Sequence, residues 1–203
     1  MAGIVDFVAP KAKIVPLRVM DTEGYGNVFV IAEAVAFARR NGADVINMSL
    51  SMPARSDLLQ EAIEGAVVVD AAAGNDNTAV AQYPAAGEGE TAEADGLLAV
   101  TLVDRYETKS DFASYGTWVN VAAPGNAIRS AFPVSEYANW IGTSMAALIK
   151  GKDGSLEPAG VEAQIRGTAR PLDTKNPSYA GMLGAGHADA GASLRRYDPG
   201  ACS

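Results

Sequence analysis

The sequence predicts an α/β fold, a parallel sheet with helices on both faces, on three observations. An extended apolar run over residues 12–19 is followed by a helix-period segment over 28–40 and a second apolar run over 44–48. Strand, helix and strand in that order imply parallel strands and a right-handed crossover. The pattern then repeats, with a helical segment from Ser56 to about Glu64 and an apolar run over 67–72. Both later runs end in small polar residues, Ser49-Leu50-Ser51 and Gly74-Asn75. Open α/β sheets bind ligands outside the carboxyl ends of their strands, which puts these two stretches on one functional edge.

Each element has a local reason. The 12–19 run is aliphatic, and Pro16 inside it belongs where no ladder donor is needed. Asp21 to Gly26 is a turn cluster. Asn27 caps the next helix, whose Val28, Ile31, Val35 and Ala38 keep helical spacing until Asn41-Gly42 stops it. Ser56 caps the following helix, with Leu58, Leu59, Ala62 and Ile63 as its apolar set. Tyr83-Pro84-Ala85-Ala86 opens a surface connection, and 87–96 is an acidic, Gly-rich loop. Residues 97–103 read as a strand, 112–116 and 119–125 as paired short strands with a turn, and 127–132 as one more strand. Helices are expected over 158–166 and 189–196.

Composition sets the class. With 203 residues, 48% of them hydrophobic, the chain is globular, and no linker, repeat or low-complexity run divides it, so 1–203 reads as a single domain. Sixteen basic against 24 acidic residues give a net charge of −8, which argues against sequence-independent nucleic-acid binding. No stretch approaches the ~20 apolar residues of a membrane span, and the N-terminus lacks a signal-peptide pattern. Cys202 is the single cysteine, so no internal disulfide forms.

Two stretches point to chemistry. Gly142-Thr143-Ser144-Met145-Ala146-Ala147 follows an aromatic approach and opens a helix. A serine at a helix N-terminus sits among free backbone N–H groups in a positive field, which suits a nucleophile whose attack creates an oxyanion. Thr and Ser are equally ordinary N-caps there. Asn75 stands on a Gly-containing turn after a buried strand, where its amide can point at developing negative charge or close an Asx-turn.

Three motifs together resemble the subtilisin-like serine peptidases, or subtilases. They are Gly142-Thr143-Ser144-Met145-Ala146, Ala72-Ala73-Gly74-Asn75 and Ala43-Asp44-Val45-Ile46-Asn47-Met48-Ser49-Leu50, in the family's order, and the likeness runs from about Val8 to about Leu194. The resemblance implies a three-layer parallel-sheet fold, incomplete at its N-terminus, so that 1–203 is a single partial peptidase domain. It implies Ser144 as nucleophile, with Asn75 and the Ser144 N–H as oxyanion hole. Peptide or protein substrate lies as an added strand between Ser49-Leu50-Ser51 and Ala72-Ala73-Gly74, with Thr143 also in contact. Met52-Pro53 replaces a frequent Gly-Gly at the groove's far wall.

The family's catalytic Asp and His lie upstream of these motifs, and no residues here match them. Asp21-Thr22 imitates the start of an Asp-Thr-Gly motif, but Glu23 intervenes and the segment fits a turn better. His187, the only histidine, follows Ser144 in the chain and reads as structural or exposed. The helix after Ser144 is also short, since Lys150-Gly151-Lys152-Asp153-Gly154 ends it within roughly two turns. The expectation is therefore a serine endopeptidase domain that is inactive or very weak as this chain. A non-catalytic peptide-binding module, or one half of a split protease completed by an Asp/His-bearing segment, is the alternative. No cofactor or metal is expected. The acidic Glu88, Glu90, Glu93 and Asp95 attract Ca²⁺ only if they supply 6–8 oxygens in defined geometry. Gly181-Met182-Leu183-Gly184-Ala185-Gly186 imitates a dinucleotide loop but neither follows a strand nor opens a strand–helix–strand unit. Subtilases are mostly secreted, which makes an extracellular location the family expectation.

Overall fold

The computed structural model describes residues 2–64, 68–87, 96–132, 136–140, 142, 158–189 and 191–193. Its elements are α1 (Ala2–Val8), α2 (Val28–Arg40), β1 (Val45–Met48), α3 (Asp57–Ile63), β2 (Val68–Ala72), β3 (Leu97–Val103), β4 (Val121–Pro124), β5 (Ile128–Phe132), β6 (Glu136–Trp140) and α4 (Pro158–Gly167). Four strands form one sheet in the order β1-β2-β3-β4, all parallel, with Val45 opposite Val68, Asp70 opposite Leu98 and Val100 opposite Val121. The chain crosses the sheet in one direction. β5 and β6 form a separate antiparallel pair.

Period-two alternation divides the sheet's side chains between two helical layers. On one face Val69, Ala71, Leu97 and Ala99 pack with Ile31, Val35, Leu59 and Ile63 of α2 and α3. On the other Val68, Leu98, Val100 and Val121 pack with Val161 and Ile165 of α4. β2 and β3 are buried along their whole length, as interior parallel strands must be. Helix–sheet–helix is thus the layer order.

The helix caps act as their residue types dictate. Asn27 Oδ1 accepts the Phe29 N–H at 2.9 Å, and Ser56 Oγ accepts that of Leu59 at 3.4 Å. Arg39 and Arg40 lie in the last turn of α2, where the macrodipole favours cations. Gly42, at φ +73°, then takes the left-handed turn that releases the chain into β1.

α4 is fixed by a buried polar network as well as by apolar contact. Glu162 is fully buried; it accepts from Asn120 Nδ2 at 2.8 Å and from the Gly96 N–H at 3.3 Å, and pairs with Arg166 at 3.0 Å. Asn120 Oδ1 in turn accepts the Ala99 N–H at 2.7 Å. One carboxylate therefore ties α4 to the segments that lead into β3 and β4.

Four expectations are corrected. Residues 12–19 are extended but join no sheet among the described residues, because a strand exists only where a neighbour offers its edge. Residues 112–116 form no strand; their backbone groups bond to the loop after β2 instead. Ala85 and Ala86 are buried against the α2–α3 face, so this connection is not at the surface. Residues 136–140 form β6, the partner of β5, where only an approach to the nucleophile is read from sequence. Of the expected last helix, 191–193 are helical and the remainder after them lies outside the described residues. The shortened helix after Ser144 and the acidic loop over 88–95 also lie outside them.

Candidate active site

The two stretches that end the early strands share one edge of the sheet. β1 and β2 are parallel neighbours, so the residues that follow them emerge side by side at the carboxyl end of the sheet. Ser49 Oγ donates to Asn47 Oδ1 at 2.7 Å, and Leu50 packs into the α2–α3 cluster, leaving the backbone of this stretch along the edge. Met52 and Tyr83 exchange both backbone hydrogen bonds at 2.8 Å, which anchors the far end of the segment. Across from it, Ala72, Ala73 and Gly74 are buried, and the Ala73 N–H donates to Val100 O at 3.0 Å. A Cβ at Gly74 would sit 3.6 Å from Ser51 Oγ and 3.4 Å from Ser114 Oγ. The two stretches expected to flank a peptide therefore meet at Ser51 and Gly74.

Asn75 is exposed on the loop that leaves β2. Gly74, at φ +96°, makes the turn that carries it clear of the sheet. The loop is fastened from the other side by the 109–118 segment. Ser114 donates its N–H to Gly74 O at 3.0 Å, and Ser114 Oγ accepts the Asp76 N–H at 3.3 Å. The Asn77 N–H donates to Phe112 O at 2.8 Å and the Tyr115 N–H to Thr78 O at 3.0 Å. Lys109 adds a charged clamp: its buried ammonium donates to Asn77 Oδ1 at 2.8 Å and lies over the rings of Tyr115 and Tyr179, at 4.9 and 4.7 Å. Burial pulls the Lys109 pKa down, and the Asp111 carboxylate pulls it back up.

Gly142 reaches the same place from the far side of the sheet. Its N–H donates to Gly125 O at 3.1 Å, just beyond β4. A Cβ at Gly142 would lie 3.6 Å from Asn75 Nδ2. At φ +147° and with the amide so near, glycine is the residue that fits. The Asn75 amide thus stands against the residue two positions before Ser144. Thr143 and Ser144 themselves lie outside the described residues.

The two imitations of catalytic groups have local duties. Asp21 Oδ1 accepts the N–H groups of Glu23 and Tyr25, both at 2.9 Å, and so closes a turn. His187 bridges Ala122 and Arg170 through its backbone. Its Nδ1 lies 3.1 Å from Glu107 Oε1 and 3.4 Å from an Arg170 guanidinium nitrogen. Burial and then the Arg170 charge pull its pKa down, against Glu107 and Asp189, which raise it. Glu107 gathers His187, Arg170 and Lys175, and its own pKa is held down chiefly by the Lys175 hydrogen bond. Gly184 and Gly186 pack with no room for a Cβ against the backbones of Asn120 and Arg170, so the Gly-rich run serves close packing. Among the described residues no group of three or more His, Cys, Asp or Glu is placed to hold a metal, and no helix is long and apolar enough to cross a membrane.

Ser114 and Lys109 are the supports that sequence reasoning does not single out. Ser114 sits in Phe112-Ala113-Ser114-Tyr115-Gly116, where a lone serine among apolar residues is its only signal. Lys109 carries none.

Comparison with known proteins bears on the family and the fold. The model of the Subtilase family matches residues 2–186. Subtilisin Savinase of Lederbergia lenta is 33% identical over 190 residues, 88% of this chain and 68% of that protein. Thermitase of Thermoactinomyces vulgaris is 38% identical over 183 residues, 85% of this chain and 63% of that protein. The solved structure of a protease from Pseudoalteromonas arctica superposes with a TM-score of 0.79 at 29% identity, over 94% of this chain and 65% of that one. The chain spans roughly two thirds of the length of each.

Proposed function

This chain belongs to the subtilase family, and we propose that it supplies the nucleophile-bearing part of a serine endopeptidase site. The observation that carries this reading is the Asn75 amide, 3.6 Å from a Cβ position on Gly142 and so beside the start of the Gly142-Thr143-Ser144 motif. In the proposed reaction Ser144 Oγ attacks the peptide carbonyl and forms a tetrahedral intermediate. Asn75 Nδ2 and the Ser144 N–H donate to its oxyanion, and collapse expels the amine to leave an acyl-enzyme that water cleaves. The peptide lies as an added strand between Ser49-Leu50-Ser51 and Ala72-Ala73-Gly74, with Thr143 against the bond to be cut.

The proton on Ser144 needs a base, and the base needs a carboxylate to orient it. His187 is engaged with Glu107 and Arg170, and nothing in 1–203 matches the family's upstream Asp and His. The chain alone is therefore inactive or very weak, and becomes a peptidase when an Asp/His-bearing segment completes it. The test is hydrolysis of a chromogenic peptide by the chain mixed with the upstream part of Thermitase. The mixture hydrolyses, Ser144→Ala abolishes the rate, and Asn75→Ala lowers kcat about 10²–10³-fold, the size of such a loss in subtilisin itself. A mixture that associates without hydrolysing the peptide removes this reading.

The meeting of Ser51 with Gly74 favours a second reading, since a groove so built holds a peptide with or without a base. A non-catalytic binding module retains peptide affinity unchanged in Ser144→Ala and gains no hydrolysis on mixing.

A further inference from the structure

Away from the candidate site, titratable groups gather around Glu107, on the turn that leaves β3. Its backbone is at φ +67°, a left-handed conformation that a side chain disfavours. Such a residue persists where its surroundings hold it. Asn176 Nδ2 donates to Glu107 O at 2.9 Å, and Asn176 Oδ1 accepts the Lys109 N–H at 2.7 Å. The Glu107 carboxylate, 17% exposed, takes Arg170 on one oxygen at 2.9 Å and Lys175 on the other. His187 Nδ1 shares the Arg170 oxygen, at 3.1 Å, and the His187 side chain is only 13% exposed. A few side chains thus hold the 104–109 turn to two stretches far from it in sequence.

His187 is the group in this cluster whose ordinary titration lies near neutral pH. The charges that face it come from three stretches. Glu107 belongs to the turn after β3, Arg170 and, across Glu107, Lys175 to the segment after α4, and Asp189 to its own stretch. β4 meets it with the backbone of Ala122. With His187 neutral, two carboxylates balance two cations. A proton on the ring adds a third cation, its Nδ1 3.4 Å from an Arg170 nitrogen and largely shielded from water. Burial and the Arg170 charge outweigh Glu107 and Asp189, so the ring holds its proton less tightly here than in water.

We propose that His187 is an acid-sensitive latch, whose protonation releases the 104–109 turn and, through Lys109, loosens the Asn75 loop. The route is a line of hydrogen bonds. Lys109 ends the turn, with its N–H on Asn176 Oδ1 and its ammonium on Asn77 Oδ1. Linkage gives the direction. Above about pH 7 the ring is neutral whether the latch is open or closed, and the closed form keeps its full stability. As pH falls through about 6.5, the ordinary histidine value, the open form takes its proton first and gains population. The gain stops once the closed form is protonated too. The latch needs no base for Ser144, so it stands or falls separately from the peptidase reading.

The test is amide exchange in the full chain at about pH 7.5 and about pH 5.5, on either side of the histidine value. Rates are corrected for their intrinsic pH dependence, and the His187 ring is titrated by NMR. The Arg170 N–H donates to His187 O at 2.9 Å and the Asn77 N–H to Phe112 O at 2.8 Å. Protection at these two amides and at Lys109 is expected to fall severalfold at the lower pH. About tenfold is the ceiling, set by an open-state pKa near 6.5. Global unfolding cannot imitate this fall, because the buried carboxylate of Asp70 makes global stability rise as pH drops. His187→Gln keeps a hydrogen-bonding side chain that does not titrate, and it removes the fall at all three amides. A fall that survives in His187→Gln overturns the proposal, and so does one confined to Arg170. A ring pKa at or above about 6.5 in the folded chain overturns it without any variant.

Discussion

Asp70 is the residue least at home in its surroundings. It sits in the middle of β2, 1% exposed, with neither carboxylate oxygen hydrogen-bonded among the described residues. Val68, Val69 and Ala71 beside it are all buried. Burial alone pushes its pKa from the usual carboxylate range up to about 7. In the unfolded chain the group ionises near 3.9. Below about pH 4 it is neutral in both states and costs folding no charge burial. Between about 4 and 7 only the unfolded state ionises, so stability falls as pH rises, and above 7 the full penalty stands. The loss is on the order of 4 kcal/mol, at about 1.4 kcal/mol per tenfold change in proton affinity. Asp70→Val is therefore expected to raise stability in urea far more at pH 8 than at pH 4.5. An equal gain at both pH values would show that the carboxylate is not what destabilises the strand. The run Val67-Val68-Val69-Asp70 is plainly a buried strand in the sequence, but nothing in it tells whether a partner meets the acid.

At the scale of elements, the polar ties carry the testable content. Glu162→Ala leaves Asn120 Nδ2, the Gly96 N–H and Arg166 without their shared acceptor. Breaking a buried charged cluster from one side costs about 3–5 kcal/mol, so this variant is expected to lose that much in urea unfolding. Glu162→Gln keeps an acceptor and loses less; equal losses would mean that shape rather than hydrogen bonding fixes α4. Ser114→Ala removes the acceptor of the Asp76 N–H and leaves the cores alone. Its expected signature is faster exchange at Asp76 with global stability changed by only about 1 kcal/mol. A global loss several times larger would show that the Asn75 loop is part of the core and not a separately fastened piece.

Elements were legible where their cause is local. Asn27 and Ser56 cap the helices they announce, and α2 and β3 have the bounds that spacing predicts. Residues 12–19 were not, because pairing is a property of two segments and none pairs with them among the described residues. Residues 112–116 are short and apolar, and no periodicity separates a strand from a loop whose backbone bonds elsewhere. For the candidate site, Asn75 and the Ser51–Gly74 approach were legible from motifs at strand ends. The clamp from Lys109 joins residues far apart in sequence and leaves no pattern.

The described residues form a parallel sheet between helical layers, with Ser49-Leu50-Ser51, Gly74-Asn75 and Gly142 at one edge. The Ser49-Leu50-Ser51 stretch, the Asn75 loop and Gly142 converge there from β1, β2 and β4. His187, the only histidine, is engaged with Glu107 and Arg170, and in subtilisin loss of the catalytic histidine costs about 10⁶ in kcat. The most direct test of this account is fluorophosphonate labelling of the purified chain alone, with Ser144→Ala and heat-denatured chain as controls. The account predicts no labelling above either control in a sample that melts cooperatively. Specific labelling of Ser144 would contradict it, because the nucleophile would then be activated by a base within these 203 residues.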